Sequence, residues 1–301
     1  KMKTGGELAK AVWVWLDFAG RAQIARWMLG SKTRRLPATE SMLFVTYFPV
    51  LDEKAAAVGN FRNAYVAPLQ EKLTKAGMAI TWLLVPVIYN DRGFMDSLRL
   101  AKIFIGRGER LFIIQEWLSF DAACRGFWLW LRQVWVAIRL TGKIMPRVGT
   151  EIALRAECRE LWKQLWIQSF CGSAGMLGIL YLLAFTEALK QMPRLRGCVY
   201  ICEMHVWEKA LIAARDRIQP GLYTIGFQHA IAPENLFSYF INPDEARIAD
   251  VAMPLPDVLA CGGQLLEEMF RKSAYPHIAQ VEAIRYFYLL KAFESRMTES
   301  S

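Results

Sequence analysis

A chain of 301 residues with 54% hydrophobic and 13% aromatic side chains, eleven tryptophans among them, carries ample apolar surface for a core, which excludes intrinsic disorder. Its formal net charge of +9 points to a polyanionic partner: nucleic acid, an anionic membrane surface or a phosphorylated substrate. Six cysteines without a CxxC pair argue for reduced core thiols in a cytoplasmic protein and against zinc.

Residues 1 to about 40 read as an amphipathic helical lead-in, ending in the basic, loop-like GSKTRRLPATES. Its first apolar patch, Ala11 to Phe18, lacks the h-region and cleavage site of a signal peptide. LFVTYFPV (43–50) is the first predicted strand. A helix follows over about Phe61 to Lys75, with Gly77 placed as its C-cap. Met78 to Tyr89 predicts a second strand, Met95 to Ile105 a basic helix, and Leu111 to Ile114 a third strand after the GRGER turn.

From Phe120 to Lys190 the pattern is wholly helical, with breaks expected near Gly142–Pro146 and Cys171–Gly175. Within it, Leu165 to Phe185 has the length of a membrane span. Its Gln168, Ser169, Ser173 and three glycines, and its direct lead into a strand, favour a buried helix of a soluble domain. Strands then follow at Val199–Ile201, Leu222–Phe227 and Asp257–Cys261, with a polar stretch over 233–256. Helices are expected at Gln264–Lys272 and Gln280–Phe293, and 291–301 is a polar tail.

Strands alternating with helices predict an α/β fold: a Rossmann-like, mostly parallel sheet with helices on both faces, spanning 41–290, with a helical insertion at about 120–190. In such sheets ligands bind outside the carboxyl ends of the strands. CVYICEMHVWEKAL and GLYTIGFQHA deliver Glu203, His205, Gln228 and His229 to that edge. Glu203 could act as a general base if partial burial raises its pKa. Glu208 sits in the first helical turn, as a ligand or, the reading favoured here, as a complement to the helix dipole. His229 could bond a phosphate or sugar hydroxyl or shuttle a proton. Metal ligation by His205, His229 and a carboxylate lacks HxxxH-type spacing. No GxGxxG or GxxxxGK[ST] loop occurs, and Gly262-Gly263 suit a plain tight turn.

Arg125, Arg132 and Arg139 recur at sevenfold spacing in a helix with Phe127, Trp128, Trp130 and Trp135. Two readings stay open: contact of Arg125, Arg132, Arg139 and Trp128 with an anionic membrane interface, or a helix packed on the sheet with its arginines solvated. No nucleic-acid recognition module is present, so nucleic acid is not an expected partner.

LFVTYFP, QSFCGS, YICEMHVWEKAL, IGFQHA with YFINP, and MPLPDVLACGG together resemble a bacterial family of surface-carbohydrate (O-antigen type) biosynthesis proteins, over roughly residues 43 to 290. The resemblance implies the acceptor-side domain of a GT-B-like glycosyltransferase, peripheral at the inner membrane face. It implies transfer from a nucleotide sugar, used as substrate with no further cofactor, to a glycan or lipid-linked acceptor. Glu203 would then be base or substrate ligand, Gln228 and His229 would contact the donor, Trp207 would stack on a sugar ring and Asn235 would bind a hydroxyl. The family pattern also expects a second, nucleotide-binding domain, and no second set of alternating strands and helices follows Tyr288. A noncatalytic docking subunit and a nucleotide-sugar epimerase are the competing expectations.

Overall fold

The computed structural model describes residues 4–30, 36, 39–151, 156–229, 237–246, 248 and 253–282. Seven described strands form one sheet: β1 (Ser41–Phe48), β2 (Ala79–Pro86), β3 (Leu111–Ile113), β4 (Leu195–Ile201), β5 (Thr224–Gln228), β6 (Val258–Gly262) and β7 (Ile278–Val281). Their order is β3-β2-β1-β4-β5-β6-β7, and every neighbouring pair is parallel. This is a Rossmann-like doubly wound sheet. Ten described α-helices cover it: α1 (Thr4–Leu29), α2 (Glu53–Ala57), α3 (Ala67–Lys75), α4 (Phe94–Gly106), α5 (Phe120–Glu151), α6 (Ala156–Phe170), α7 (Ser173–Gln191), α8 (Val206–Ile218), α9 (Pro243–Ala246) and α10 (Gln264–Phe270).

The period-2 alternation of each strand sorts its side chains between two cores. Leu43 and Val45 of β1 join Phe18, Leu180, Phe185 and Leu211, contributed by α1, α7 and α8, on one face. Phe44 and Phe48 join Trp82, Phe61, Leu98 and Phe104 on the other, under α4. There Trp82 packs with its ring centroid 4.9 Å from both Phe44 and Phe61. Burial on both faces explains why these strands read as near-continuous apolar runs.

Three local expectations are corrected. The helix expected from Phe61 begins only at Ala67, because Phe61 and Val66 serve the second core from a loop. Helix α5 continues through Gly142 and Pro146 to Glu151; Pro146 forfeits one backbone hydrogen bond, which a helix of 32 residues absorbs without ending. Gln280 and Val281, expected to open a helix, close β7, whose IAQV run pairs with Leu259–Gly262 of β6. Four apolar-rich residues have no period that separates strand from helix. The rest of that expected helix, and the polar tail, lie outside the described residues.

One described helical stretch, Glu160–Gln191, is long and apolar enough to cross a membrane by length and composition. It is interrupted at Cys171–Gly172, between α6 and α7. Helix α7 buries Met176, Leu180, Ala184, Phe185, Ala188 and Leu189 in the first core, the pattern of a core helix.

A polar clamp ties β5, β6 and α8 together. The Thr224 backbone N–H and Oγ1 both donate to Asp257 Oδ2 at 2.7 Å. Arg215, buried on α8, donates to Thr224 Oγ1 at 3.2 Å and to Asp257 Oδ1 at 3.3 Å. Burial opposes ionisation of Asp257, but the Thr224 hydrogen bonds and Arg215 outweigh it and hold the carboxyl below its usual range. Removing one partner of a buried pair strands the other charge. Asp257→Ala is therefore expected to destabilise by about 2 kcal/mol, tempered by the partial exposure of Asp257, and urea unfolding measures it.

Candidate active site

The chain runs outward from β1 to β2 and β3, then returns to lay β4 on the other side of β1. That reversal is the topological switch point, where the loops leaving β1 and β4 diverge and open a crevice at their carboxyl ends. A cavity of about 390 Å³ lies there, lined among others by Tyr47, Tyr65, Tyr89, Glu203, His205 and Trp207.

Glu203 is the hub. Its Oε2 accepts a hydrogen bond from Tyr47 Oη at 3.1 Å and lies 3.5 Å from His205 Nε2. Its Oε1 lies 3.4 Å from His229 Nδ1. The hydrogen bond from His205, with the nearby His229 and Tyr47, outweighs burial and holds the Glu203 carboxyl below its usual range. Sequence reasoning made base catalysis by Glu203 conditional on a raised pKa; the hydrogen bonds from His205 and Tyr47, with the charge of His229, reverse that condition.

His205 is the N-cap residue of α8, with a mostly exposed side chain. Its hydrogen bond to Glu203 raises its pKa against the pull of burial. Tyr47 receives the Trp207 indole N–H at 3.4 Å, and its own pKa is pushed up, chiefly by burial, so it stays a donor toward Glu203. Trp207, Tyr47 and Glu203 thus form a directed chain of hydrogen bonds. Trp207 is only 4% exposed, so it braces Tyr47 and offers little ring face for stacking on a sugar.

His229 is brought to Glu203, but its side chain is only 2% exposed, and it is packed edge-on against Tyr65 with ring centroids 4.1 Å apart. It does not line the cavity. Gln228 is also buried, and neither polar atom of its amide has a partner among the described residues. Such a group costs stability, and in native proteins it asks for an explanation such as a bound ligand or water. Asn235 lies outside the described residues. Arg125, Arg132, Arg139 and Trp128 lie on α5, away from the cavity lining.

Glu208 takes the structural role that its helical position favoured. It is buried on the first turn of α8, and its Oε2 accepts the backbone N–H groups of Glu203 at 2.9 Å and Met204 at 2.7 Å. These bonds hold the turn in which Met204 adopts a left-handed conformation, with φ of 64°, a conformation L-residues seldom take.

Sequence reasoning missed Tyr47, Tyr65 and Tyr89; it placed His205 at the ligand edge but gave it a specific role only as a metal ligand. Tyr47 sits one residue from the end of β1, so the strand-end rule applied to that strand finds it; its pairing with Glu203 needs the strand order. Among the described residues no three His, Cys, Asp or Glu side chains form a group that could hold a metal ion. The five described cysteines are free. Burial pushes the Cys198 thiol up to about 12 and Cys202 well above its ordinary value, which suits packing rather than nucleophilic chemistry.

Burial pushes Glu208 up from 4.5 to about 7 against its backbone hydrogen bonds. A raised folded-state pKa gives stability that is fully present below the unfolded pKa and is lost as pH rises through the folded one. The loss is on the order of 3 kcal/mol, between the ordinary glutamate value and about 7. His205, also raised, adds a loss of the same sign. The thermal midpoint is expected to fall from pH 5 toward neutral, with most of that slope abolished by Glu208→Gln. Thermal unfolding across this range checks it; an unchanged slope in the variant would contradict the role given to Glu208.

Comparison with known protein families, with curated proteins and with solved structures finds no match to this chain.

Proposed function

We propose that the switch-point cavity binds a saccharide, and that the protein is the acceptor-side domain of a GT-B-like glycosyltransferase for surface polysaccharide or a lipid-linked glycan. The observation that carries this reading is the convergence of Glu203, His205 and Tyr47 on a cavity walled by Tyr65 and Tyr89. Aromatic walls with a few fixed polar groups are the usual composition of a small-molecule site. A carboxylate held ionised by its donors can accept hydrogen bonds from sugar hydroxyls as well.

In this reading His205, rather than Glu203, is the base. Glu203 faces its Nε2, which leaves Nδ1 to take the proton from an acceptor hydroxyl while Glu203 stabilises the resulting imidazolium. The hydroxyl oxygen forms the new bond to the anomeric carbon of the donor. The bond from that carbon to the donor phosphate breaks, and the nucleotide leaves with the electron pair. Tyr47 and His229 are positioning residues that fix Glu203. The nucleotide sugar is a substrate, held in part by a second, facing domain, and no further cofactor takes part.

Saturation-transfer NMR with a panel of oligosaccharides and nucleotide sugars tests binding, and a transfer assay on the same panel tests chemistry. Wild type is expected to bind saccharide, with weaker binding in Tyr47→Phe. Transfer is expected to fall about 100-fold or more in His205→Gln and Glu203→Gln, with the folded state intact. A folded wild type that binds no saccharide, or transfer unaffected in both variants, would overturn the proposal. Conversion of free nucleotide sugar without acceptor would identify an epimerase instead.

A further inference from the structure

Helix α5 carries an exposed face that the cavity chemistry does not use. Arg125, Trp128, Leu129, Arg132, Trp135, Val136, Arg139 and Leu140 are exposed along it, while Ala122, Ala123, Trp130, Val134 and Ala137 are buried beneath. Between residues 122 and 150 the sequence contains no aspartate or glutamate. Trp128 is 69% exposed and Trp135 53%, and the Arg139 guanidinium stacks 3.6 Å over the Trp135 ring. Soluble surfaces seldom gather large apolar side chains and so marked an excess of one charge on one helix face.

Two hollows adjoin this face. One, of about 510 Å³, is lined by Arg26, Ser119, Arg125, Thr186, Glu187 and Lys190 among others, with three cations against one carboxylate. Arg26 donates through Nε to the Glu116 carbonyl at 2.9 Å, and burial lowers its pKa against the pull of Glu116 and Glu187. The second hollow, of about 330 Å³, runs between α5 and α6 and is lined mainly by apolar side chains, Val136, Ala137, Leu140, Trp166 and Phe170 among them, with Arg132 and Gln133 also on its wall. Leu129 lines both. A cationic hollow and an apolar groove therefore meet at one side chain, a pairing that matches an amphiphile with an anionic head.

We propose that this face docks on an anionic phospholipid bilayer, with one lipid phosphate held by Arg26, Arg125 and Lys190 and its acyl chain lying along Leu129, Val136, Leu140 and Phe170. The excess of arginines over acids on this face, where Asp121 pairs with Arg125 at 3.3 Å and no further acid follows before Glu151, selects an anionic occupant. Tryptophans at headgroup depth and arginines reaching phosphates are the means by which such helices lie in an interface. None of these residues lines the cleft at Glu203, so docking and saccharide binding can be tested separately.

Co-sedimentation of the full chain with vesicles decides it, using phosphatidylcholine alone and phosphatidylcholine mixed equally with phosphatidylglycerol. Binding is expected to the mixed vesicles and not to phosphatidylcholine, weakening with added salt. The triple variant R125Q/R132Q/R139Q is expected to bind about 100-fold more weakly, and Lys190→Gln, which lies off the α5 face, roughly fivefold more weakly. Leu129→Gln, which leaves the charge unchanged, is expected to lose roughly tenfold. Circular dichroism and the thermal midpoint confirm folding in each variant. Absence of wild-type binding, equal binding to both vesicle types, or no loss in the triple variant overturns the proposal. Full binding in Lys190→Gln overturns the phosphate position. Self-association that the same variants abolish, without vesicle binding, assigns the face to a second copy of this chain.

Discussion

The turn after β4 is held from within by the Glu208 carboxylate, which takes the backbone N–H groups of Glu203 and Met204 as α8 begins. Everything at the cleft depends on that anchorage. It fixes the left-handed Met204, so that Glu203 projects from the strand end toward Tyr47 on the neighbouring β1. Two carboxylates five residues apart thus experience opposite environments. Glu208 is buried among backbone groups and its pKa is raised; Glu203 is surrounded by side-chain donors and its pKa is lowered. Pairs of titratable groups driven apart by their surroundings are a recurrent mark of acid–base sites.

The parallel sheet supplies the rigidity this arrangement needs. Glu203 and His229 follow adjacent strands whose register is set by Cys198–Thr224 through Ile201–Phe227. Tyr47 comes from the other side of the switch point, on β1. Three elements far apart in sequence therefore converge on one carboxylate because the strand order reverses there, and the Asp257–Thr224–Arg215 clamp locks the far side of β5. The α5 face is built on different physics: it owes its exposure to lying outside α1 and α7, not to the sheet edge.

Much of this was legible in the sequence, and what was not has physical causes. Apolar runs such as LFVTYF and CVYI marked strands because burial on both faces leaves no polar residue to interrupt them. The carboxyl-edge rule then named Glu203 and His229 correctly as neighbours of one place. Tyr47 escaped because pairing β1 with β4 is a property of strand order, which no local pattern encodes. His205 was placed at that edge, but its role escaped because it comes from Glu203 beside it, not from its own spacing. Gln280 and Val281 of β7 looked like the start of a helix because so short a run carries no period, and Pro146 looked like a break because local propensity yields to the continuity of a long helix.

The most direct measurement of the central claim is an NMR titration of the His205 imidazole in wild type and in Glu203→Gln. A carboxylate that holds His205 through Nε2 predicts a wild-type midpoint above the ordinary histidine value of about 6.5, with the proton on Nε2 in the neutral form, and a lower midpoint once the charge is removed. The same midpoint in both proteins would show that Glu203 does not govern His205, and would contradict the hub.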